Sequence, residues 1–208
     1  MIYKRFSFII ATILAATAWT FSATAQQDDF DIDRFVETPV IKNDKVKKKV
    51  QDYQEEVSIK LARDKEKYLV ETTRDDEVIV VTLLAERLFE NNSTVLTDQG
   101  KNHLKPLLPY FKNPSFYKVL MIMHTDNTGS DQYLLDFSFE RIKAIDAWVQ
   151  ANCNNERIEA IAVGNEEPVA PNNSMENRRN NRRLEVYLIP GEGMLEQAKN
   201  GKININRR

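Results

Sequence analysis

The eight residues Phe116-Tyr-Lys-Val-Leu-Met-Ile-Met123 carry a single charge. A run that short and that apolar is consistent with a strand buried on both faces. It gives out at a polar stretch, His124-Thr-Asp-Asn-Thr-Gly-Ser130. A helical pattern follows, with Ser130 or Asp131 as its cap and Leu135, Ile142, Ile145, Trp148 and Val149 on one face. A strand, a tight turn and an amphipathic helix form a unit that lays the helix back on a sheet. The remaining segments have to supply that sheet.

Tyr68–Thr73 and Val78–Leu84 are rich in β-branched residues, and Arg74-Asp-Asp76 between them is a turn signal, so they predict a hairpin. Thr97 or Asp98 caps a helix whose apolar stripe is Leu104, Leu107, Leu108 and Phe111, ended by Asn113-Pro114. Ile158–Val163 is a short third strand. A loop containing Pro168 and Pro171 leads to a last strand, Leu184–Ile189, stopped by Pro190-Gly191. Met194–Lys199 predicts a short terminal helix, and the basic, Asn-rich tail is expected to fray. Strand–helix–strand connections imply parallel neighbours with their helices on one face. The expected fold is α+β, a βαβαβ-type two-layer sandwich with a small mixed sheet.

The N-terminal segments stand apart from this domain. Lys4 and Arg5 precede an uncharged apolar run, Phe6–Phe21, and Ala23-Thr-Ala25 offers the small residues of a cleavage site. Residues 1–25 are therefore expected to be a signal peptide cut after Ala25, which places the mature chain in an exported compartment. The apolar run is short for a membrane span, which needs about 20 residues. Residues 26–66 read as a flexible acidic leader followed by a charged amphipathic helix, in which Val46, Val50, Tyr53, Val57 and Leu61 recur at helical steps. That stripe either packs on the following domain or offers a face for an envelope partner or self-association. Residues 67–190 are the domain and 191–208 the tail. The formal charge of −2 gives no reason to expect nucleic acid or an anionic membrane surface. Cys153 has no partner for an internal disulfide; it is either a quiet buried thiol, which is the expectation, or an intermolecular link.

Asp126 stands where the strand ends, and Arg141 stands on the helix that follows. A carboxylate and a guanidinium facing one cleft suit a ligand with both ammonium and carboxylate groups. The same two residues also suit a plain structural salt bridge, which the frequency of Asp in turns and Arg on helices favours. His124 reads as a core or rim histidine. No metal-ligand spacing, nucleophile elbow or phosphate loop occurs, so no metal, cofactor or catalysis is expected.

Several motifs in order change that balance. Phe89-x-x-Asn-Ser-x-x-Leu96 and Gly100 come first, then His124-Thr-Asp-Asn-Thr-Gly-Ser130, then Phe137-Ser-x-x-Arg141. Gly164-x-x-x-Pro168, Asn172-x-Ser174 before Arg178, and Asn181-Arg-Arg-Leu-Glu185 complete the set. From about Val78 to Ile189 the chain resembles the peptidoglycan-binding, OmpA-like C-terminal domain family. The resemblance implies non-catalytic binding of the diaminopimelate of the peptidoglycan stem peptide. It assigns Asp126 and Arg141 to the zwitterionic end of that residue, Thr125 and Asn127 to the turn, and Asn92 and Arg182 to the same site. It places the protein in the periplasm or at the outer membrane, tethering an envelope component to the cell wall. The alternative is a degenerate domain of this fold that serves protein interaction. The chain departs from the family pattern at Met123 (usually Gly), Leu134 (usually a site Asn), Phe137 (usually Leu), Ile142 (usually Ala) and Asn177 (usually Gly).

Overall fold

The computed structural model describes residues 31–64, 67–153, 155 and 157–205. The expected signal peptide, residues 1–25, and the first residues of the leader lie outside these. The five strands are β1 (Leu69–Thr73), β2 (Val78–Leu84), β3 (Tyr117–His124), β4 (Ile158–Gly164) and β5 (Arg183–Pro190). They form one mixed sheet in the order β1-β2-β5-β3-β4. The strand–helix–strand rule holds for β3 and β4, which pair in parallel across helix α5 (Asp131–Cys153). It does not hold for β2 and β3 as expected. β5 inserts between them and runs antiparallel to both, pairing Val81 with Val186 and Val186 with Met121.

The first face of the sheet buries Val81, Leu83, Val119, Met121, Met123, Val186 and Leu188 against Leu135, Ile142, Ile145 and Val149 of α5. These four continue the stripe seen in the sequence, while Trp148 is only partly buried. The second face is not bare. Leu120, Ile122, Ile161 and Val163 are covered by Ile32, Phe35 and Val36. The last three belong to helix α1 (Ile32–Glu37), in the segment expected to lack regular structure. Two cations hold its C-terminal end: Arg74 donates to the Val36 carbonyl (2.7 Å), and Lys118 donates to the Phe35 and Thr38 carbonyls (3.0 and 2.8 Å). The domain's larger helices share the first face, as expected, and α1, from the leader, is an addition on the second.

Asn43 caps helix α2 (Asp44–Ala62) by accepting the Val46 N–H. Its stripe, Val46, Val50, Val57 and Leu61, packs into the domain core. That face is therefore unavailable for the self-association or partner docking that the stripe suggested. Gln54, rather than Tyr53, is the fully enclosed residue at the middle of the stripe. Its amide donates to the Glu77 and Leu188 carbonyls, and its oxygen accepts from the Tyr117 hydroxyl (2.8 Å). The β1–β2 turn places Arg74, Asp75 and Asp76 at φ 54°, 50° and 60°, left-handed values uncommon for residues other than glycine. Helix α2 pins this turn: Lys47 pairs with Asp75 (2.9 Å) and Gln51 donates to the Asp75 carbonyl (2.7 Å).

The helix expected from Thr97 is capped by Thr97 but does not run through. Pro106 and Pro109 divide it into α3 (Asp98–Leu104), a 3₁₀ turn and α4 (Leu108–Phe111). Helix α6 (Met175–Asn181) leads into β5, and α7 (Glu192–Asn200) packs against α2. The tail does not fray at once, because Ile203 is buried and Ile205 packs on the core. Cys153 is half-buried rather than enclosed. Among the described residues, no helix is long and apolar enough to cross a membrane.

Candidate functional site

The polar turn after β3 is tied down before any ligand is considered. The pairing of β3 with β4 shifts register between Met123 and His124. The Thr125 amide then donates to the Gly164 carbonyl (2.7 Å). Asp126 Oδ1 accepts the Thr128 N–H (2.8 Å), which closes an Asx-type turn. Gly129 has φ 147°, and a Cβ there would lie 2.9 Å from the Tyr133 ring, so the turn requires glycine. Ser130 starts α5, its hydroxyl accepting the Tyr133 N–H and its carbonyl the Leu134 N–H.

The two charges singled out in the sequence do not pair with each other. Asp126 forms its ion pair with Arg182, which follows α6 at the entry to β5. Burial pulls the Asp126 carboxyl upward, but the Arg182 and Thr128 hydrogen bonds outweigh it and hold its pKa below the ordinary value. Arg141 is 5% exposed. Its Nε donates to the Ser93 carbonyl (2.9 Å). Its guanidinium lies over the rings of both Phe89 and Phe137, 4.8 and 4.2 Å from their centroids. Tyr133 stacks on Phe137 at 5.8 Å with an interplanar angle of 15°. Burial, with the neighbouring Arg182 charge, lowers the Arg141 pKa to about 10. Among the described residues, no carboxylate lies within 4.0 Å of this guanidinium.

Asn92 is exposed in a left-handed conformation (φ 53°). It turns the chain so that the next residue, Ser93, presents its carbonyl to Arg141. Asn127 is exposed in the turn. Thr125 is enclosed, and its Oγ1 has no hydrogen-bond partner. Leu134, one of the departures from the family pattern, is 3% exposed and lies under Gly129. Thus Asp126, Arg182 and Arg141 gather at one end of the sheet with Asn92 and Asn127 on the rim, while Thr125 faces inward. The aromatic clamp on Arg141 was not foreseen. A signal for half of it exists, since Phe137 is four residues before Arg141 on the same helix and so on the same face.

A second polar cluster backs the turn. Glu185 accepts from Arg183 Nε (2.7 Å) and from the Tyr187 hydroxyl (2.8 Å), and His124 Nε2 lies 3.6 Å from it. Burial pushes the His124 imidazole toward its neutral form, with Glu185 only partly opposing. Burial would raise Glu185, but His124, Arg183 and Tyr187 bring its pKa down to about 2. Among the described residues, no cluster of His, Cys, Asp and Glu is arranged to hold a metal ion.

Comparison with known proteins agrees with this layout. Residues 88–182 match the model of the OmpA family. The chain is 27% identical over 122 residues to a protein named Probable lipoprotein YiaD from Escherichia coli (strain K12), covering 58% of this chain and 56% of that one. It is 30% identical over 106 residues to the outer-membrane lipoprotein YfiB of Pseudomonas aeruginosa, covering 50% and 62%. The matches therefore span between about half and three-fifths of these relatives' own length. A crystal structure of a MotB-like protein from Desulfovibrio vulgaris superposes with a TM-score of 0.61 at 19% identity, covering 70% of this chain and 98% of that one. The cell wall anchor of the T6SS from Pseudomonas aeruginosa superposes with a TM-score of 0.56 at 25% identity, covering 64% and 96%. The turn, the helix that follows it and the residues up to the entry of the last strand lie within the stretch, residues 88–182, that matches the model of the OmpA family.

Proposed function

We propose that the protein binds peptidoglycan without catalysis and tethers an envelope component to the cell wall. The observation that carries this reading is Arg141. Burying a guanidinium without a counter-charge is costly, and a buried charge is normally paired. Here two aromatic rings and the Ser93 carbonyl hold it in place with its charge unmatched by any carboxylate within 4.0 Å among the described residues. Such a group is pre-organised for the carboxylate of a ligand. Asp126, adjacent through Arg182, can share its remaining lone pairs with an ammonium. The amino-acid end of diaminopimelate carries both groups. The similar proteins, an outer-membrane lipoprotein and a cell wall anchor, support the same reading and an exported location at the periplasm or outer membrane.

Co-sedimentation of the purified protein with peptidoglycan sacculi tests it. Arg141→Ala and Asp126→Ala are each expected to weaken binding by about ten- to a hundredfold, the loss of one charge-assisted contact. Undiminished sedimentation of both variants would rule the site out. A second reading, a domain of this fold acting in protein interaction alone, draws on Leu134 and the inward-facing Thr125. It predicts that the unaltered protein stays in the supernatant.

A further inference from the structure

Helix α1 covers the sheet's second face only over β3, β4 and the neighbouring Tyr187. Over β1 and β2 the same face is open, and a groove of about 730 Å³ runs across it. Its lining is mainly apolar. Leu69 and Val169 on its lining are 58% and 60% exposed, and Leu84 lines it from the end of β2. Clefts of this size and character are those that hold small ligands.

The charges along the groove are distributed unevenly. Leu69 pairs with Thr82, so extending the register two places sets Lys67 beside Leu84, and Glu71 lies beside Val80 at the other end. Four residues of strand separate the two ends by about 13 Å. At the Leu84 end, Arg183 is engaged by Glu185 and Lys67 by Asp64. Arg87 makes no hydrogen bond or close ion pair among the described residues, its charge acting only from a distance on the neighbouring Glu86. Its Nε is enclosed without a partner, and its sequence neighbour Glu86 is paired with Arg179. A guanidinium whose enclosed nitrogen lacks an acceptor pays a desolvation cost that an added anion offsets.

We propose that this groove binds an anion borne on an alkyl chain, of the fatty-acid type, with its head on Arg87 and its hydrocarbon over Leu84, Leu69 and Val169. Glu71 at the far end disfavours a second anionic group there, so the expected ligand has one charged head and an apolar tail.

The test is calorimetric titration of the purified full chain with dodecanoate below its micellar concentration, alongside dodecyl phosphate and dodecylammonium. Saturable one-to-one binding of dodecanoate is expected, weakened about tenfold or more by Arg87→Gln, as for loss of one charge-assisted contact. Val169→Asp, at an exposed position, is expected to weaken it as well, and dodecylammonium is expected not to bind. Tighter binding of dodecyl phosphate than dodecanoate would keep the site and identify its head group as a phosphate. Absence of saturable binding, equal binding by Arg87→Gln, or equal binding of the ammonium would each overturn the proposal. Sacculus sedimentation of Arg87→Gln should match the parent protein, which separates this site from the peptidoglycan one.

Discussion

Arg141 illustrates what one residue can and cannot disclose from sequence. Its charge and its helix were legible, and so was Asp126 at the strand end. Their partners were not. Arg182 reaches Asp126 from 56 positions away, and no local spacing encodes an ion pair made where two distant segments meet at the end of a sheet. Phe137 was within reach of helical arithmetic, whereas Phe89 arrives from the end of the β2 segment. Removing one ring should loosen the guanidinium. Phe137→Ala is expected to lower both thermal stability and sacculus binding by about 1–2 kcal/mol each, with Phe137→Leu losing less of both. Gly100 is a separate single-residue constraint. A Cβ there would sit 2.6 Å from the Leu88 carbonyl oxygen, backbone that cannot yield easily. Gly100→Ala should cost about 1–3 kcal/mol in urea unfolding with the slope unchanged.

At the scale of elements, periodicity revealed α2 and α5 but not what they touch. An apolar stripe of Val46, Val50, Val57 and Leu61 looks the same whether it meets a second copy or its own domain. Helix α1 has six residues, too few to show a period, and it escaped notice entirely. The division of the Thr97 helix was written in Pro106 and Pro109, whose missing N–H groups interrupt the ladder. Gln54 is the polar exception in the α2 stripe and joins three elements through its amide. Gln54→Leu strands the Tyr117 hydroxyl and two carbonyls. It is expected to destabilise the protein by about 1–3 kcal/mol, read from the shift in denaturant midpoint. Gln54→Glu should be worse, since its carboxylate would face two carbonyl oxygens.

For the molecule as a whole, the acid limit of stability should trace to the cluster behind the turn that follows β3. The His124 pKa is lowered on folding from its ordinary 6.5, so its contribution is complete above that value and declines as pH falls through it. The Glu185 pKa is held at about 2 against an ordinary 4.5. Its contribution is therefore present above 4.5 and is lost as pH falls from there toward 2. Denaturant midpoints measured from pH 7 to pH 3 should fall in two stages, and Glu185→Gln should flatten the lower one. A single stage common to both proteins would assign acid lability elsewhere. The strand order carries a consequence in time. β5, the last strand of the chain, is the middle of the sheet, with β2 on one side and β3 on the other. A chain emerging N-terminus first lays down two separate pairs, β1 with β2 and β3 with β4, that have no bond between them. Only when residues 183–190 arrive does one sheet exist, and because Arg182 immediately precedes that strand, the Asp126–Arg182 pair of the proposed ligand site is completed in the same event that closes the fold.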